Sequence, residues 1–476
     1  MTNRLPAFWR SLSCALLLTL AACGGGGGDG GGLSACPSAA ASDGVADRQD
    51  WLRCYFNDNY YWYALAPNPS PFGYGSVDAY FKALLYGGGG LIPNGGGATW
   101  PSDRYSYYQS TASFNQFFGD GRTLGYGVAV NGLEAVASGA TRLFIRYVEP
   151  ASPAAQTTAI AGGLRRGDEI LTLNGTPVAT YIGANDFAVL SPIATGNQLS
   201  LSVRRGAGAA VPVVLSAAVF DLTPVQLGRT VTSPGTIPGS SRLMGYVFVK
   251  DMISQVGPPL ATTMTSFRNQ LIQELVIDLR YNGGGLVSMG GTVASYAAGS
   301  RGSGQVYARL LYNDKQSRNN QDFLFSNPAN WNGFSRVYVL MGERTCSASE
   351  QVINGLRGVG VNVVAIGDTS CGKPVGFLPK DDGWGTTYSV VNFEGVNALN
   401  QGRYFDGLLA TCPVAEDFSL PIGDLADPLL VAAAYHADVG SCPVSAAREQ
   451  PLSRSGVVRK RYNGADGGER TGMTVR

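Results

Sequence analysis

A regular alternation of strands and helices, beginning near residue 240, limits this chain to few folds. Four short runs have the apolar, β-branched composition of buried strands: LMGYVFVKDM, ELVIDLR, RVYVLMG and VNVVAIGD. Helical patterns lie between them, over residues 259–273, at GLVSMGGTVASYAAG and from Ser347 onward. Strands that alternate with helices form a largely parallel sheet covered by helices. The sequence therefore predicts an α/β domain over residues 219–444.

Two other segments precede this domain, and one follows it. Residues 36–120 carry aromatic side chains at helix-like spacing, as in WLRCYFNDNYYWY, and predict a small helical N-terminal domain with an aromatic core. Residues 121–218 contain short strand-like runs separated by turn residues and predict a β-rich domain. Residues 445–476 carry seven Arg and Lys against three acidic residues, with no apolar period, which predicts a disordered tail.

The first residues are typical of a secretory signal. Two arginines precede an apolar run over residues 12–20. The LAAC that follows resembles a bacterial lipobox, in which Cys23 carries the lipid; the alternative is an ordinary signal peptide cut nearby. We expect a lipoprotein signal peptide over 1–22 and a glycine-rich tether over 23–35. The expected location is the bacterial cell envelope, lipid-anchored and facing the periplasm, at the outer membrane rather than the inner one.

Charge and cysteine usage narrow the classes of partner and ligand. The formal net charge is +1 and charged residues make up 14% of the chain, against about 25% in a typical soluble domain, so no basic surface for nucleic acid is expected. Zinc-like spacings of cysteine and histidine are absent, so we expect no metal and no other cofactor. Six cysteines follow Cys23, an even number that suggests disulfides after export, with fifteen possible connectivities.

Within the β-rich segment, the run GGLRRGDEILTLNGTPV resembles the signature of a PDZ domain. The resemblance makes LGYGVAV the counterpart of a loop whose backbone N–H groups bind the C-terminal carboxylate of a peptide. The residues of that loop are Leu124, Gly125, Tyr126, Gly127 and Val128. The implied partners are proteins or peptides with free C-termini. A generic domain of β-hairpins with glycine turns is the alternative.

Three motifs in the α/β segment carry the chemistry: LVIDLRYNGGG, TCSASE and GDTSCGKPVGF. Taken singly, the first could be only a tight turn, and Ser347 with Glu350 fits a capping box at a helix start. Together, and in this order, they resemble the motifs of the C-terminal-processing (tail-specific) serine peptidases. These enzymes combine a PDZ domain with a protease domain of the ClpP/crotonase type. The resemblance covers roughly residues 100–435.

The resemblance assigns roles residue by residue. It implies that Ser347 is the nucleophile, that Lys373 is the general base, and that the backbone amides of Ala348 and Gly284 form the oxyanion hole. Many family members place a glutamine four residues after the lysine to orient it, where this chain has Phe377. The orientation of Lys373 could then fall to Glu350 or to a main-chain carbonyl.

Side-chain chemistry agrees with a lysine base. The single histidine, His436, lies in the helical pattern LLVAAAYHADV, where a position on the helix surface is expected. Lys373 must then accept the proton of the serine hydroxyl, and its pKa must fall from about 10.4 toward neutrality by desolvation or a positive neighbour. Its apolar surroundings in SCGKPVGF suit that role.

A dyad of Ser347 and Lys373 would also constrain two cysteines. The loops that carry these residues must meet, which could bring Cys346 and Cys371 within disulfide distance. The alternative is that both cysteines are free and buried. The remaining pairs by proximity in sequence are Cys36–Cys54 and Cys412–Cys442.

The sequence thus predicts a serine endopeptidase of the cell envelope that binds protein C-termini and cleaves peptide bonds with a Ser–Lys dyad. It would contact the membrane through an N-terminal lipid anchor. A catalytically silent PDZ-containing peptide-binding lipoprotein is the main alternative; Phe377 favours it, whereas the intact Ser347 and Lys373 oppose it. A crotonase-like acyl enzyme is opposed by the PDZ resemblance and the export signal. The natural substrate and the oligomeric state stay open.

Overall fold

The computed structural model of the chain describes residues 36–93, 97–235, 238–444 and 472–475. The expected signal peptide, the whole of the expected tether with Cys23, and residues 445–471 and 476 of the expected tail lie outside these described residues. Within the described ranges, no helix combines the length and the apolar character that crossing a bilayer requires.

The N-terminal part contributes α1 (Val45–Asn59), α2 (Val77–Leu84), β1 (Tyr107–Ser110) and α3 (Thr111–Asn115). The expected helices are therefore present. Aromatic side chains on them, including Trp51, Phe56 and Phe81, pack in one core with Phe377 and Tyr388 from the C-terminal part. Their core is shared because two short helices cannot bury so much aromatic surface alone.

Residues 121–218 form a β-rich segment, as predicted. Its elements are β2 (Arg122–Gly125), β3 (Val128–Val130), α4 (Gly132–Ser138), β4 (Leu143–Val148), α5 (Pro153–Gln156), β5 (Glu169–Leu173), β6 (Thr176–Pro177), α6 (Val178–Ala184), β7 (Gln198–Arg204), β8 (Ala210–Ser216) and β9 (Ala218–Asp221). The main sheet has the order β3-β4-β5-β7-β8, and β2 pairs with β9. Asn174 and Gly175, both with positive φ, make the two-residue turn between β5 and β6.

The remaining elements build the α/β part. They are β10 (Val225–Thr232), β11 (Leu243–Val249), α7 (Gly257–Asn269), β12 (Glu274–Asp278), β13 (Gly284–Leu286), α8 (Val287–Ala298), β14 (Val306–Tyr312), β15 (Gln321–Leu324), β16 (Arg336–Met341), α9 (Ala348–Gly358), β17 (Asn362–Gly367), β18 (Val375–Phe377), β19 (Lys380–Asp381), β20 (Thr386–Ser389), β21 (Val391–Val396), β22 (Cys412–Pro413), α10 (Pro428–Val439) and β23 (Gly472–Thr474).

The first sheet of this part has the order β10-β11-β12-β16-β17-β22, and all neighbours are parallel except β10 and β11. Successive side chains of a strand point to opposite faces. Accordingly Val337 and Val339 pack with α7, α8 and α9, whereas Tyr338 and Leu340 pack with α10. The predicted mixed α/β architecture is confirmed.

A second sheet, of order β13-β23-β18-β21-β14-β15, was not predicted. Its strands are short, and most of them follow loops rather than helices, so the strand–helix alternation gives no signal for them. Residues 472–475 were expected to belong to a disordered tail, and this is corrected here: residues 472–474 form β23, and Met473 and Thr474 are buried. Four uncharged residues within a basic segment suffice to add a strand to neighbours that offer free main-chain groups.

The described residues from Pro37 onward form one compact unit. The shared aromatic core joins the N-terminal part to the α/β part, and ion pairs join the β-rich segment to the α/β part. Arg166 of the β-rich segment binds Glu416 at 2.8 Å, and Arg344, three residues before Ser347, binds Glu134 of α4 at 2.8 Å.

Candidate active site

The glycine turn after β12 is held by the buried Asn282. Its side-chain amide donates to the last carbonyl of β11 at 2.9 Å, and its Oδ1 accepts the N–H of Gly284 at 2.9 Å. Its main-chain carbonyl accepts the N–H of Cys346 and the hydroxyl of Ser349, each at 3.0 Å. One asparagine therefore ties the glycine turn to the segment that carries Ser347.

Ser347 begins α9 in a strained backbone conformation. Its φ is 61° and its ψ is −112°, and residues with a Cβ rarely adopt a positive φ. Ser347 and Glu350 keep the arrangement of a capping box, but the buried Oγ of Ser347 completes no hydrogen bond with any described residue. Backbone strain and a buried, unsatisfied hydroxyl are typical of a functional site rather than of a plain helix cap.

The Glu350 carboxylate accepts hydrogen bonds from both of the segments that carry Ser347 and Lys373. Its Oε2 accepts the main-chain N–H of Ser347 at 2.8 Å and that of Lys373 at 2.9 Å. Its Oε1 accepts the Ser370 hydroxyl at 2.5 Å and the Gly372 N–H at 2.8 Å. Burial raises the pKa of Glu350, and these four donors oppose that rise. The carboxylate therefore fixes the main chain at both Ser347 and Lys373.

Lys373 is buried, and its Nζ lies 4.1 Å from the ring centroid of Phe377 and 5.6 Å from that of Tyr105. Desolvation lowers the pKa of Lys373 to about 7, although Asp103 and Glu350 act in the opposite direction. A lysine with this pKa is largely neutral just above pH 7 and can accept a proton there. Phe377, the departure from the family motif, therefore lies directly against the lysine.

Two predicted disulfides are confirmed. Cys346 and Cys371 are bonded, with Cα atoms 5.2 Å apart, and so are Cys412 and Cys442, at 5.5 Å. Cys36 and Cys54 are also disulfide-bonded cysteines. The sulfurs of Cys346 and Cys371 lie near the Glu350 carboxylate, but a disulfide offers no thiolate to a metal ion.

The expected oxyanion hole is only half available in this conformation. Ala348 is the first residue of α9, so its N–H has no intrahelical acceptor and lies at the positive end of the helix dipole. The N–H of Gly284, by contrast, donates to Asn282, which corrects the expectation that it points to the site. Gly284 and Gly285 have φ values of 102° and 134°, a region that glycine alone adopts readily. The Gly284 N–H can therefore serve as an oxyanion donor only if its hydrogen bond to Asn282 breaks.

The N-terminal part supplies a wall of the site that the sequence analysis missed. The Tyr105 hydroxyl donates to the carbonyl of Gly372, next to Lys373, at 2.8 Å. Asp103 accepts the N–H of Tyr105 at 2.8 Å and the Ser106 hydroxyl at 2.6 Å. These residues lie more than 250 positions before Lys373, and no local pattern marks them; an aspartate followed by paired aromatics reads only as a turn.

His436 is buried on α10, where its Nδ1 lies 3.2 Å from the Tyr338 hydroxyl. The expected surface position is therefore wrong, because the apolar face of α10 covers the sheet through this stretch. Burial lowers the pKa of His436. Since α10 and α9 pack on opposite faces of the sheet, His436 lies away from Ser347.

The loop from Leu124 to Val128 connects β2 to β3. Tyr126 is buried, and Gly127 has a φ of 80° and no room for a Cβ, which would lie 1.9 Å from Ser152. A cavity of about 40 Å³ lies beside the loop, with Lys250 in its lining. β3 is the edge strand of its sheet among the described residues.

A cavity of about 660 Å³ lies beside Gly342, Glu343 and Arg344, the residues shortly before Ser347. Arg280, Tyr281, Glu343 and Arg344 are among its lining residues, but neither Ser347 nor Lys373 is. This cavity is therefore separate from the site formed by Ser347 and Lys373.

Comparisons with known proteins agree with this geometry. The model of peptidase family S41 matches residues 243–392, and that of the peptidase S41 N-terminal domain matches residues 47–107. The chloroplastic carboxyl-terminal-processing peptidase 1 of Arabidopsis thaliana is 27% identical over 224 residues, which cover 44% of this chain. The chain spans about 40% of the length of that relative.

One of the solved structures that match this chain shows the same fold. A structure of a protein assigned as an S41 protease, from Bacteroides fragilis, has a TM-score of 0.58 at 23% identity and covers 81% of this chain and 96% of its own. The photosystem II D1 C-terminal processing protease matches with a TM-score of 0.46 at 18% identity and covers 77% of this chain and 92% of its own. The two family matches thus make residues 47–107 and 243–392 of this chain similar to the N-terminal and peptidase parts of family S41.

Proposed function

We propose that this chain is a serine endopeptidase in which Ser347 attacks the peptide carbonyl and Lys373 accepts the proton of its hydroxyl. The observation that carries the proposal is the shared hydrogen-bond acceptor of the two residues. A single oxygen of Glu350 accepts the main-chain N–H of both, so their relative position is fixed before substrate arrives. Such positioning contributes strongly to rate.

The chemistry follows from the charges. Neutral Lys373 removes the proton as Ser347 Oγ bonds to the carbonyl carbon, and the resulting ammonium can then protonate the leaving amine. The negative oxygen would lie at the start of α9, against the N–H of Ala348, with a second donor from the glycine turn once Gly284 is released. Water and neutral Lys373 then hydrolyse the acyl-enzyme in the same way.

The substrate and location follow as parts of the same proposal. The loop from Leu124 to Val128 would bind the free C-terminus of a protein in the manner of a PDZ domain, and β3 would pair with its main chain. A lipid on Cys23 would hold the enzyme at the periplasmic face of the cell envelope. The open edge of β3 supports the peptide-binding role. A silent peptide-binding lipoprotein would share these features but need no lysine with a lowered pKa.

The direct test is hydrolysis of an unfolded protein, such as reduced casein, by the wild type and by two variants. Ser347→Ala and Lys373→Met should each abolish turnover while the circular dichroism spectrum stays unchanged. His436→Ala is the control for the base and should keep its rate per folded molecule. Equal losses in His436→Ala and Ser347→Ala would contradict a lysine base, and no turnover by any form would favour the silent alternative.

The peptide-binding part is tested separately from catalysis. Peptides with a free, apolar C-terminus should bind Ser347→Ala more tightly than the same peptides with an amidated end, measured by isothermal titration. Equal affinity for the two forms would remove the assignment of the loop from Leu124 to Val128. Cys23→Ser should release the protein from the membrane fraction or leave it unprocessed.

A further inference from the structure

The strand β23 lies between two strands that flank the candidate active site. On one side it pairs in parallel with β13, which follows the glycine turn, in the register Gly284↔Gly472 and Gly285↔Met473. On the other side it pairs with β18, which begins two residues after Lys373. In this sheet β13 and β18 are joined only through β23. A slot one strand wide, here called the strand slot, therefore runs between the glycine turn and the lysine.

Glycines in the walls of the strand slot make room for Met473. The Met473 carbonyl lies 2.7 Å from the place where a Cβ of Gly376 would stand, and its Sδ lies 3.2 Å from the place for a Cβ of Gly395. Met473 itself is 0% exposed. A side chain at Gly376 would collide with the ring of Phe393, at 2.3 Å, and also with the carbonyl of Met473. The slot therefore admits an extended main chain beside Gly376, and it encloses one unbranched apolar side chain.

Two features of β23, the strand that occupies the slot, distinguish it from a permanent core strand: its position in the sequence and an unsatisfied hydroxyl. It comes from residues 472–475, far beyond β21, whereas the strands that follow it in the sheet come from residues 306–396. The Oγ1 of Thr474 is buried and has no hydrogen-bond partner among the described residues. A permanent core strand would be expected to satisfy this hydroxyl or to replace it with an apolar group.

We propose that the strand slot is the peptide-binding cleft of the proposed peptidase, and that residues 472–475 fill it as a tethered competitor. This inference rests on the proposed function. The segment Gly472-Met473-Thr474-Val475 then indicates the substrate class: unfolded, uncharged stretches with a methionine-sized apolar residue next to small residues. A tethered segment competes at an effective concentration in the millimolar range, so free substrate gains access only when it leaves.

Met473→Asp in the full chain separates a tethered competitor from a permanent strand. In the proposed arrangement the charged segment leaves the slot, the melting temperature falls only slightly because the bound segment no longer stabilises the folded state, and kcat/KM for casein rises about tenfold or more as the competent fraction grows. Met473→Leu keeps an apolar side chain, so the segment stays seated and the rate stays low. A permanent strand would instead trap a buried, unpaired carboxylate, so a lower melting temperature with lower activity in Met473→Asp would overturn the proposal.

A binding experiment keeps this inference distinct from the catalytic proposal. Fluorescein-labelled Gly-Met-Thr-Val with an amidated C-terminus, which removes the free carboxylate that the loop from Leu124 to Val128 would bind, should bind the double variant Ser347→Ala, Met473→Asp, as followed by anisotropy, and should not bind Ser347→Ala alone. The peptide with Asp in place of Met should bind neither. Peptide binding to the double variant, without casein hydrolysis by any form that has Ser347, would support the slot as a peptide-binding cleft and contradict the Ser–Lys mechanism. Turnover that depends on Ser347, without binding of the peptide and without activation by Met473→Asp, would defeat the slot alone.

Discussion

Two buried cations, Arg280 and Lys373, lie in the same α/β part under opposite electrostatic conditions. Arg280 binds Asp278 at 2.8 Å, Asp427 at 2.6 Å and Glu416 at 3.2 Å. Burial alone would lower the pKa of Arg280, but these three carboxylates together raise it well above the ordinary value. The rings of Phe377 and Tyr105 lie 4.1 and 5.6 Å from Lys373 Nζ, and burial lowers the pKa of Lys373 to about 7 although Asp103 and Glu350 act to raise it.

The difference separates a structural cation, Arg280, from the lysine that we propose as the general base. Carboxylates in direct contact keep Arg280 charged at every physiological pH, and the guanidinium joins three chain segments. Glu350, one of the two carboxylates that act to raise the pKa of Lys373, accepts hydrogen bonds at both oxygens from main-chain N–H groups and Ser370. Because those donors compensate its charge, the carboxylate can position the lysine segment without holding the lysine side chain in its protonated form.

The largest expected effects come from removing each cation in turn. Arg280→Met leaves Asp278 and Asp427 without their cation, and Glu416 with Arg166 alone, and should lower the free energy of unfolding by about 3–5 kcal/mol. Lys373→Met should lower kcat by about 10²–10⁴-fold. Denaturant unfolding of both variants tests the predicted loss of stability, and casein hydrolysis by both variants tests the predicted loss of kcat.

Lys373→Met should also be at least as stable as the wild type at pH 7. The folded-state pKa of Lys373 is about 7 and the unfolded value is near 10.5. Folding therefore disfavours the charged form, and the resulting cost is full below pH 7 and disappears as the pH rises past the unfolded pKa. A large loss of stability in Lys373→Met, similar to that in Arg280→Met, would break the distinction between the two cations.

The mixed α/β architecture, the PDZ-like run and the dyad motifs could all be read from the sequence because each is local. Ser347 and Lys373 lie in short motifs, and Cys346 and Cys371 beside them followed from the meeting of two loops. Glu350 was considered only as one possible orienting group for the lysine side chain. Its actual contacts, to the main chain at both residues, depend on how the two loops fold around it.

What the sequence could not show depends on long-range packing. Tyr105 reaches Gly372 because the N-terminal part shares its core with β18 and β21, and neither segment signals this alone. The strand β23 has three residues, too few for a periodic pattern. The N–H of Gly284 was expected to be free, and only the turn geometry shows that Asn282 holds it.

The two confirmed disulfides give a matched test, because they close loops of similar length. The sequence separations are 25 residues for Cys346–Cys371 and 30 for Cys412–Cys442. Replacing either pair by alanines should lower the free energy of unfolding by about 3–4 kcal/mol in the chain-entropy model. Only the first pair should also lower kcat, since it joins the segments of Ser347 and Lys373. Equal kcat values for the two double variants, measured well below their melting temperatures, would show that the bond has no role in positioning.

Glu350→Gln tests whether the carboxylate acts through position. The amide nitrogen of glutamine cannot accept hydrogen bonds, so about half of the four donors lose their acceptor, and a misplaced dyad should lower kcat by up to about 10²-fold. KM should change little, because Glu350 is buried and away from substrate. Glu416→Gln is the matched control: it weakens the Arg280 cluster and stability but should leave kcat unchanged. A fall in KM alone, or an equal fall of kcat in both variants, would contradict the positioning role.

The smallest expected effect concerns the ring of Phe377. Because only neutral lysine accepts the serine proton, kcat/KM should rise with pH through a pKa of about 7 and level off above it. A ring face 4.1 Å from Nζ favours the ammonium form, so it holds that pKa above the value that burial alone would give. Phe377→Leu keeps the site apolar but removes the ring, and should move the acid limb of the profile to lower pH by about 0.5–1 unit. Phe267→Leu, a similar loss of volume in the core under α7, should leave the limb in place. A limb that moves to higher pH in Phe377→Leu would mean that the ring acts by excluding water rather than by binding the cation, and the contrast with the ion-paired Arg280 would then rest on burial alone.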